Sequence, residues 1–224
     1  MRKQSHRAIC LVLVILLVCT ASAFAQVSKT IQLPEPRTTG GRPLMEVLKD
    51  RHSSREFSDQ ELPLPVLSDM LWAAFGINRP DVKKRTAPSA VNWQEVDIYV
   101  ATATGLFLYD AEAHALHQIL SDDIREMTGA QAFVKDAPVN LVYVADYAKM
   151  GERSEDDKRF YSGADVGFIG QNVYLFCASE GLATVIRGSV DRTPLAEVMN
   201  LRPEQHIVLS QTVGYPKKIA SEEN

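Results

Sequence analysis

Val139-Asn140-Leu141-Val142-Tyr143-Val144-Ala145 is a near-continuous apolar run of strand length. Only a strand covered on both faces tolerates such a pattern, so the run predicts the centre of a sheet. Upstream, residues 96 to 102 alternate and are rich in β-formers. Residues 105 to 109 and 115 to 120 read as a hairpin around Asp110-Ala111-Glu112. Downstream, residues 163 to 180 have a helical pattern, stopped by Gly181. It is apolar almost all round, with Val166, Phe168, Ile169, Val173, Tyr174, Leu175, Phe176 and Cys177, and such a helix belongs inside a fold or against a second subunit. Residues 184 to 186 and 207 to 213 predict two more strands. Thr193-Pro194 opens a helix to about Leu201, and Ser121-Asp122-Asp123 is a further helix start. Residues 151 to 160 are highly charged and read as a mobile loop or a helix start. Toward the N-terminus, helices are expected over 43 to 50 and from Val66 to a C-cap at Gly76, with a polar loop from Asn78 to Arg85. Residues 26 to 42 form an extended leader. Helices and strands mix without strict βαβ alternation, so the fold class is α+β, one sheet with several helices.

The first 25 residues stand apart. Arg2, Lys3 and Arg7 precede an apolar run, and Ala21-Ser22-Ala23-Phe24-Ala25 offers small residues at a peptidase's spacing. The pattern is that of a secretory signal, cut after Ala25, and it predicts an exported chain, periplasmic in a Gram-negative cell, with no stable membrane span after cleavage. Cleavage removes three basic side chains and no acidic one, which takes the net charge from −4 to about −7. That balance argues against nucleic acid as a partner. Cys10 and Cys19 leave with the signal, so Cys177 remains alone, without an internal disulfide partner, and its apolar neighbours mark it as a buried thiol. No Cys or His cluster has metal-ligand spacing; His114 and His117 lack further ligands nearby.

Chemistry concentrates in Arg51-His52-Ser53-Ser54-Arg55-Glu56-Phe57. Two arginines four apart, with a histidine and two hydroxyls between them, suit a phosphate; the alternative is a solvated basic helix end. Three further blocks follow: Leu71-Trp72-Ala73-Ala74-Phe75-Gly76; Ala87-Pro88-Ser89-Ala90-Val91-Asn92-Trp93-Gln94; and Gly170-Gln171-Asn172-Val173-Tyr174-Leu175 through Gly181-Leu182-Ala183-Thr184 to Val213-Gly214-Tyr215-Pro216. In this order the four blocks resemble the nitroreductase family of FMN-dependent flavoproteins, nearest the branch with azoline-oxidising dehydrogenases, over residues 43 to 224 taken as one domain.

The resemblance implies a three-layer fold with a mostly antiparallel central sheet and an interlocked homodimer with flavin at its interface. It implies that Arg51 and Ser53 hold the FMN phosphate with His52 alongside, and that Arg55 lies at the pyrimidine edge. Pro88, Ser89 and Asn92 would come from the partner subunit, and the backbone at Arg187 and Gly188 would approach N5. Lys217 or Lys218 would complete the phosphate site, although the family's terminal basic pair is not clearly spaced here. Asn92 can equally shape a turn, and Trp93 can belong to the core or stack on the ring. Two departures stand out. Glu95 occupies a position that is basic in some members, and Val91-Asn92-Trp93 replaces the Gly and Tyr frequent in the azoline branch. No catalytic side chain is nominated beyond the flavin ligands. The expected function is two-electron transfer to or from a small organic substrate such as a quinone or nitroaromatic, with donor and direction open; the competing expectation is a flavin-binding or ligand-sequestering protein without turnover.

Overall fold

The computed structural model describes residues 29–217; the signal pattern and Lys218 lie outside them. In chain order the elements are β1 (Thr30–Gln32), α1 (Leu44–Asp50), α2 (Leu64–Phe75), β2 (Ile77–Arg79), β3 (Lys84–Arg85), β4 (Val96–Thr102), β5 (Gly105–Asp110), β6 (Ala115–Leu120), β7 (Val139–Asp146), α3 (Glu155–Glu180), β8 (Ala183–Arg187), α4 (Arg192–Val198) and β9 (Gln205–Gly214). Seven strands form one sheet in the order β1-β6-β5-β4-β7-β9-β8, and every pair in it is antiparallel.

The run that predicts a central strand lies between β4 and β9, and every residue of β7 is buried. Alternation along it divides the core. Val139, Leu141 and Tyr143 join Ile98 and Val100 of β4 under α2 and α3; Val142 and Val144 join Tyr99 and Ala101 on the opposite face with Leu195 of α4 and Met199. The result is three layers: α2 and α3, the sheet, then α4 with the short 3-10 turns.

The structure revises four local expectations. The leader adds an edge strand: β1 pairs with β6, Leu33 is buried, and Pro34 O accepts from Ser68 Oγ at 2.6 Å. The stretch from Asn78 to Arg85 belongs to a two-stranded hairpin of β2 and β3. The acids at 122 and 123 open no α-helix; a 3-10 turn over Arg125–Thr128 follows instead, with Asp123 chelating the Arg125 side chain. Finally, α3 starts eight residues earlier than its apolar pattern does. Ser154 caps it by accepting from Asp157 N at 3.1 Å, and Glu155, Asp156 and Asp157 sit on the positive end of the helix dipole. The charged stretch is thus the first turn of the helix. Only one face of α3 is covered within the chain: Val166, Ile169, Val173 and Cys177 are buried, whereas Phe168 is 49% exposed and Phe160 70%.

Candidate functional site

Tyr174 organises the first candidate segment. Its side chain leaves α3 beside β8, where its hydroxyl accepts from Ile186 N at 2.9 Å and lies 2.8 Å from Ser53 Oγ. The Arg51 guanidinium lies 5.2 Å from the centre of the Tyr174 ring. Ser54 N donates to Thr184 O at 2.9 Å, so residues 51–57 run along the start of β8 rather than out into solvent. Phe57 is buried against Phe133 and bridges to Pro216, while Ser58 N donates to Tyr215 O and Lys217 N to Glu56 O. Chain end and arginine segment are thereby zipped together, which brings Lys217 beside the stretch carrying Arg55.

The cations there are uncommitted. Among the described residues the Arg51 side chain makes only its ring contact, and the side chains of Arg55 and Lys217 form no ion pair or hydrogen bond. His52 is exposed, with Nδ1 2.7 Å from Asp50 O. A carbonyl can only accept, so Nδ1 carries a proton and Nε2 donates to an anion only in the imidazolium form.

The expectation for Arg187 concerns its backbone; the structure adds the place of its side chain. Its side chain is 5% exposed and turned inward, donating from Nη1 to Thr128 O at 2.8 Å and from Nη2 to Asn140 Oδ1 at 3.1 Å; Nε has no partner. Asn140 Oδ1 also accepts from Thr212 Oγ1 at 2.6 Å. Burial pulls the guanidinium down to about 10, still charged at neutral pH. Gly129 makes room for it: a Cβ there would stand 1.6 Å from Nη1. What Arg187 can offer a ligand is therefore backbone, together with that of exposed Gly188, whose own Cβ would meet nothing closer than Leu209 at 3.6 Å. Asn140, Thr128, Gly129 and Tyr174 were not among the expected site residues. A polar Asn140 inside an otherwise apolar strand is the one signal that marks this network in the sequence.

Pro88, Ser89 and Asn92 lie on a separate loop. Ser89 Oγ accepts from Gln94 N at 3.0 Å, and Asn92 Oδ1 accepts from Gln94 Nε2 at 3.2 Å. Val91, Asn92 and Gln94 all have positive φ, at 44°, 61° and 49°. A β-branched residue in the left-handed region is costly, and such strain collects at functional loops. The loop is tied to α3 by Ala90 N donating to Asp165 Oδ2 at 2.9 Å. Asp165 and Tyr174 are nine positions apart on that helix, about 13 Å along its axis. Among the described residues no hydrogen bond joins this loop to residues 51–57. One chain therefore groups Arg51, Ser53, Arg55, Lys217 and the backbone at 187 and 188, and holds Pro88, Ser89 and Asn92 elsewhere. Trp93 is half-buried, edge-on to Tyr161 at 5.7 Å.

The unpartnered cations and the Ser53 hydroxyl suit an anionic group such as a phosphate, and the backbone past β8 is open beside them. Comparison with known proteins points the same way. The profile described as "Nitroreductase family" matches residues 48–215. The chain is 32% identical over 195 residues to "Putative nitroreductase MJ1384" of Methanocaldococcus jannaschii, spanning 82% of this chain and 95% of that protein. A solved structure titled as a putative nitroreductase of Ralstonia eutropha JMP134 is 45% identical, with a TM-score of 0.81 over 85% of this chain and 90% of that one. A chain of the Escherichia coli microcin synthetase McbBCD complex shares the fold at 16% identity and a TM-score of 0.65, over 83% of this chain and 78% of its own.

Proposed function

The chain belongs to the nitroreductase family, and from that premise we propose that it is an exported, homodimeric FMN-dependent oxidoreductase acting on a small organic substrate such as a quinone or nitroaromatic. The observation that carries the cofactor is the cluster at the start of β8, where Arg51, Arg55 and Lys217 have no carboxylate partner among the described residues. FMN, when bound, supplies the two-electron exchange. Arg51 and Ser53 would hold its phosphate, with His52 adding charge when protonated and Lys217 or Lys218 closing the site. Arg55 would stand at the pyrimidine edge, where a fixed cation favours negative charge. Gly188 leaves the bed open because no side chain rises from it. Protons come from solvent, and no side chain of this chain is assigned as acid or base.

The homodimer rests on surface and on incompleteness. Leu44, Met45 and Leu48 of α1, Phe160, Tyr161 and Phe168 of α3, and Val91 are large, apolar and exposed in the single chain, more than a lone soluble domain usually shows. A second copy covering them would also deliver its Pro88, Ser89 and Asn92 to the first copy's cations. The block from Leu71 to Gly76 supports a place near the azoline-oxidising branch, whereas Val91-Asn92-Trp93 gives the substrate wall its own character.

The test is direct. Purified protein should be yellow and dimeric. Arg51→Ala and Ser53→Ala should each weaken FMN binding by roughly ten- to a hundredfold, the loss of a charge-assisted contact. Flavin reduced on the protein with dithionite should be reoxidised by quinones or nitroaromatics. Unchanged affinity in both variants would move the phosphate elsewhere, and bound flavin that no acceptor reoxidises would favour a binding protein without turnover.

A further inference from the structure

Glu95 immediately precedes β4, and its backbone carbonyl accepts from Asp146 N at 2.9 Å, which fixes it at the root of the strained loop. It is 0% exposed, and neither carboxyl oxygen has a hydrogen-bond partner among the described residues. The group it meets is the carboxyl of Asp165, itself 3% exposed. Two carboxyls facing one another bond only when one carries a proton; with both ionised they repel in a medium that screens poorly. Lys149, from the turn after β7, also faces Glu95, and its ammonium is already engaged with Asp97 Oδ1 at 2.9 Å and the Gln94 carbonyl at 3.5 Å. Asp165 also accepts from Ala90 N through Oδ2, and Ala90 opens the run in which Val91, Asn92 and Gln94 all hold positive φ. A conformation that strained persists only where its surroundings enforce it.

We propose that Glu95 and Asp165 form a proton-dependent lock that positions the loop bearing Ser89 and Asn92, closed while the two carboxyls share one proton and released when both are ionised. The pH window follows from the environment. Burial, then Asp165, push the Glu95 carboxyl up to about 7 from the ordinary 4.5, against the opposing pull of its own amide and Lys149. A raised carboxyl favours the folded arrangement at low pH and loses that contribution as pH rises through about 7. Asp165 is the partner that accepts from Ala90 N through Oδ2. Both are positioning residues; the lock bears on flavin only through the placement proposed above for Ser89 and Asn92.

Hydrogen exchange at the Ala90 amide tests it, measured on the full chain at pH 6 and pH 8.5 and expressed as protection relative to the intrinsic rate. Wild-type protection should fall about tenfold or more at the higher pH, the loss of one charge-assisted bond. Glu95→Gln mimics the protonated side chain and should hold protection level at both pH values. Asp165→Asn keeps an acceptor for Ala90 N without the charge and should do the same, so a folding failure in one variant leaves the other. Equal wild-type protection at both pH values, or a wild-type fall retained in the variants, overturns the lock. FMN titration in parallel separates the two ideas. Affinity that falls with pH in wild type and not in Glu95→Gln supports lock and flavin placement together. Protection that behaves as expected while FMN affinity ignores pH leaves the lock standing and refutes the placement of Ser89 and Asn92.

Discussion

Replacing Tyr174 with Phe isolates the hydroxyl that holds the arginine segment against the sheet. The ring remains, and so does its contact with Arg51 at 5.2 Å. Two interactions disappear: the bond from Ile186 N at 2.9 Å and the one with Ser53 Oγ at 2.8 Å. Tyr174 is only 7% exposed, so water has little room to replace the lost oxygen, and the Ile186 amide is stranded. An orphaned buried donor costs about 1–3 kcal/mol and a net hydrogen bond about 1 kcal/mol, which puts the variant about 2 kcal/mol below wild type. With a urea slope of about 2 kcal/mol/M, the unfolding midpoint should fall by about 1 M. Ser53→Ala spares the Ile186 bond and should shift the midpoint by about half as much. Urea unfolding followed by circular dichroism reads both, and FMN titration of Tyr174→Phe should show about tenfold weaker binding because Ser53 is no longer pre-oriented. A midpoint within error of wild type would refute the role given to the hydroxyl.

Gly129→Ala should destabilise by about 3 kcal/mol, because the new methyl would collide with the Arg187 guanidinium, 1.6 Å from Nη1; thermal melting will show it, and an unchanged melting temperature would mean that the buried arginine shifts freely. Wild-type stability should decline between about pH 4.5 and pH 7 by up to about 3 kcal/mol through Glu95, whose carboxyl is raised to about 7. Glu95→Gln should remove that decline in denaturant titrations across pH, and an identical slope in both proteins would count against a protonated Glu95.

The strands were the most legible part of the chain. The run from Val139 and the alternation from Val96 carry their own burial pattern, and both became interior strands. Thr30-Ile31-Gln32 carries none: three residues become a strand because β6 leaves an edge open to them. The charge before α3 left two readings open, a mobile loop or a helix start, and Ser154 with acids in the next three positions is the cap that favours the second. For the candidate site, the sequence blocks single out Arg51, Ser53, Arg55 and Gly188. They could not tell that Arg187 turns its guanidinium inward, since that depends on Asn140, Thr128 and Gly129 from distant segments. Glu95 was visible only as a departure from a pattern; its meaning lies in Asp165, which stands 70 positions further along the chain.

The pairing of β1 with β6 sets an order of assembly. Thr30 bonds His117 at a sequence separation of 87, so the strand nearest the chain's start has nothing to pair with until residues 115 to 120 have been made and folded into their hairpin. Closing so long a loop for three residue pairs brings little return, so β1 docks late and detaches early. Until it does, β6 presents an open edge to any neighbouring copy of the chain. A protease cut after Gln32 would make that exposure permanent, while a cut before Lys29 would leave the pairing intact. The boundary between trimming that the fold tolerates and trimming that makes it sticky therefore falls within a few residues.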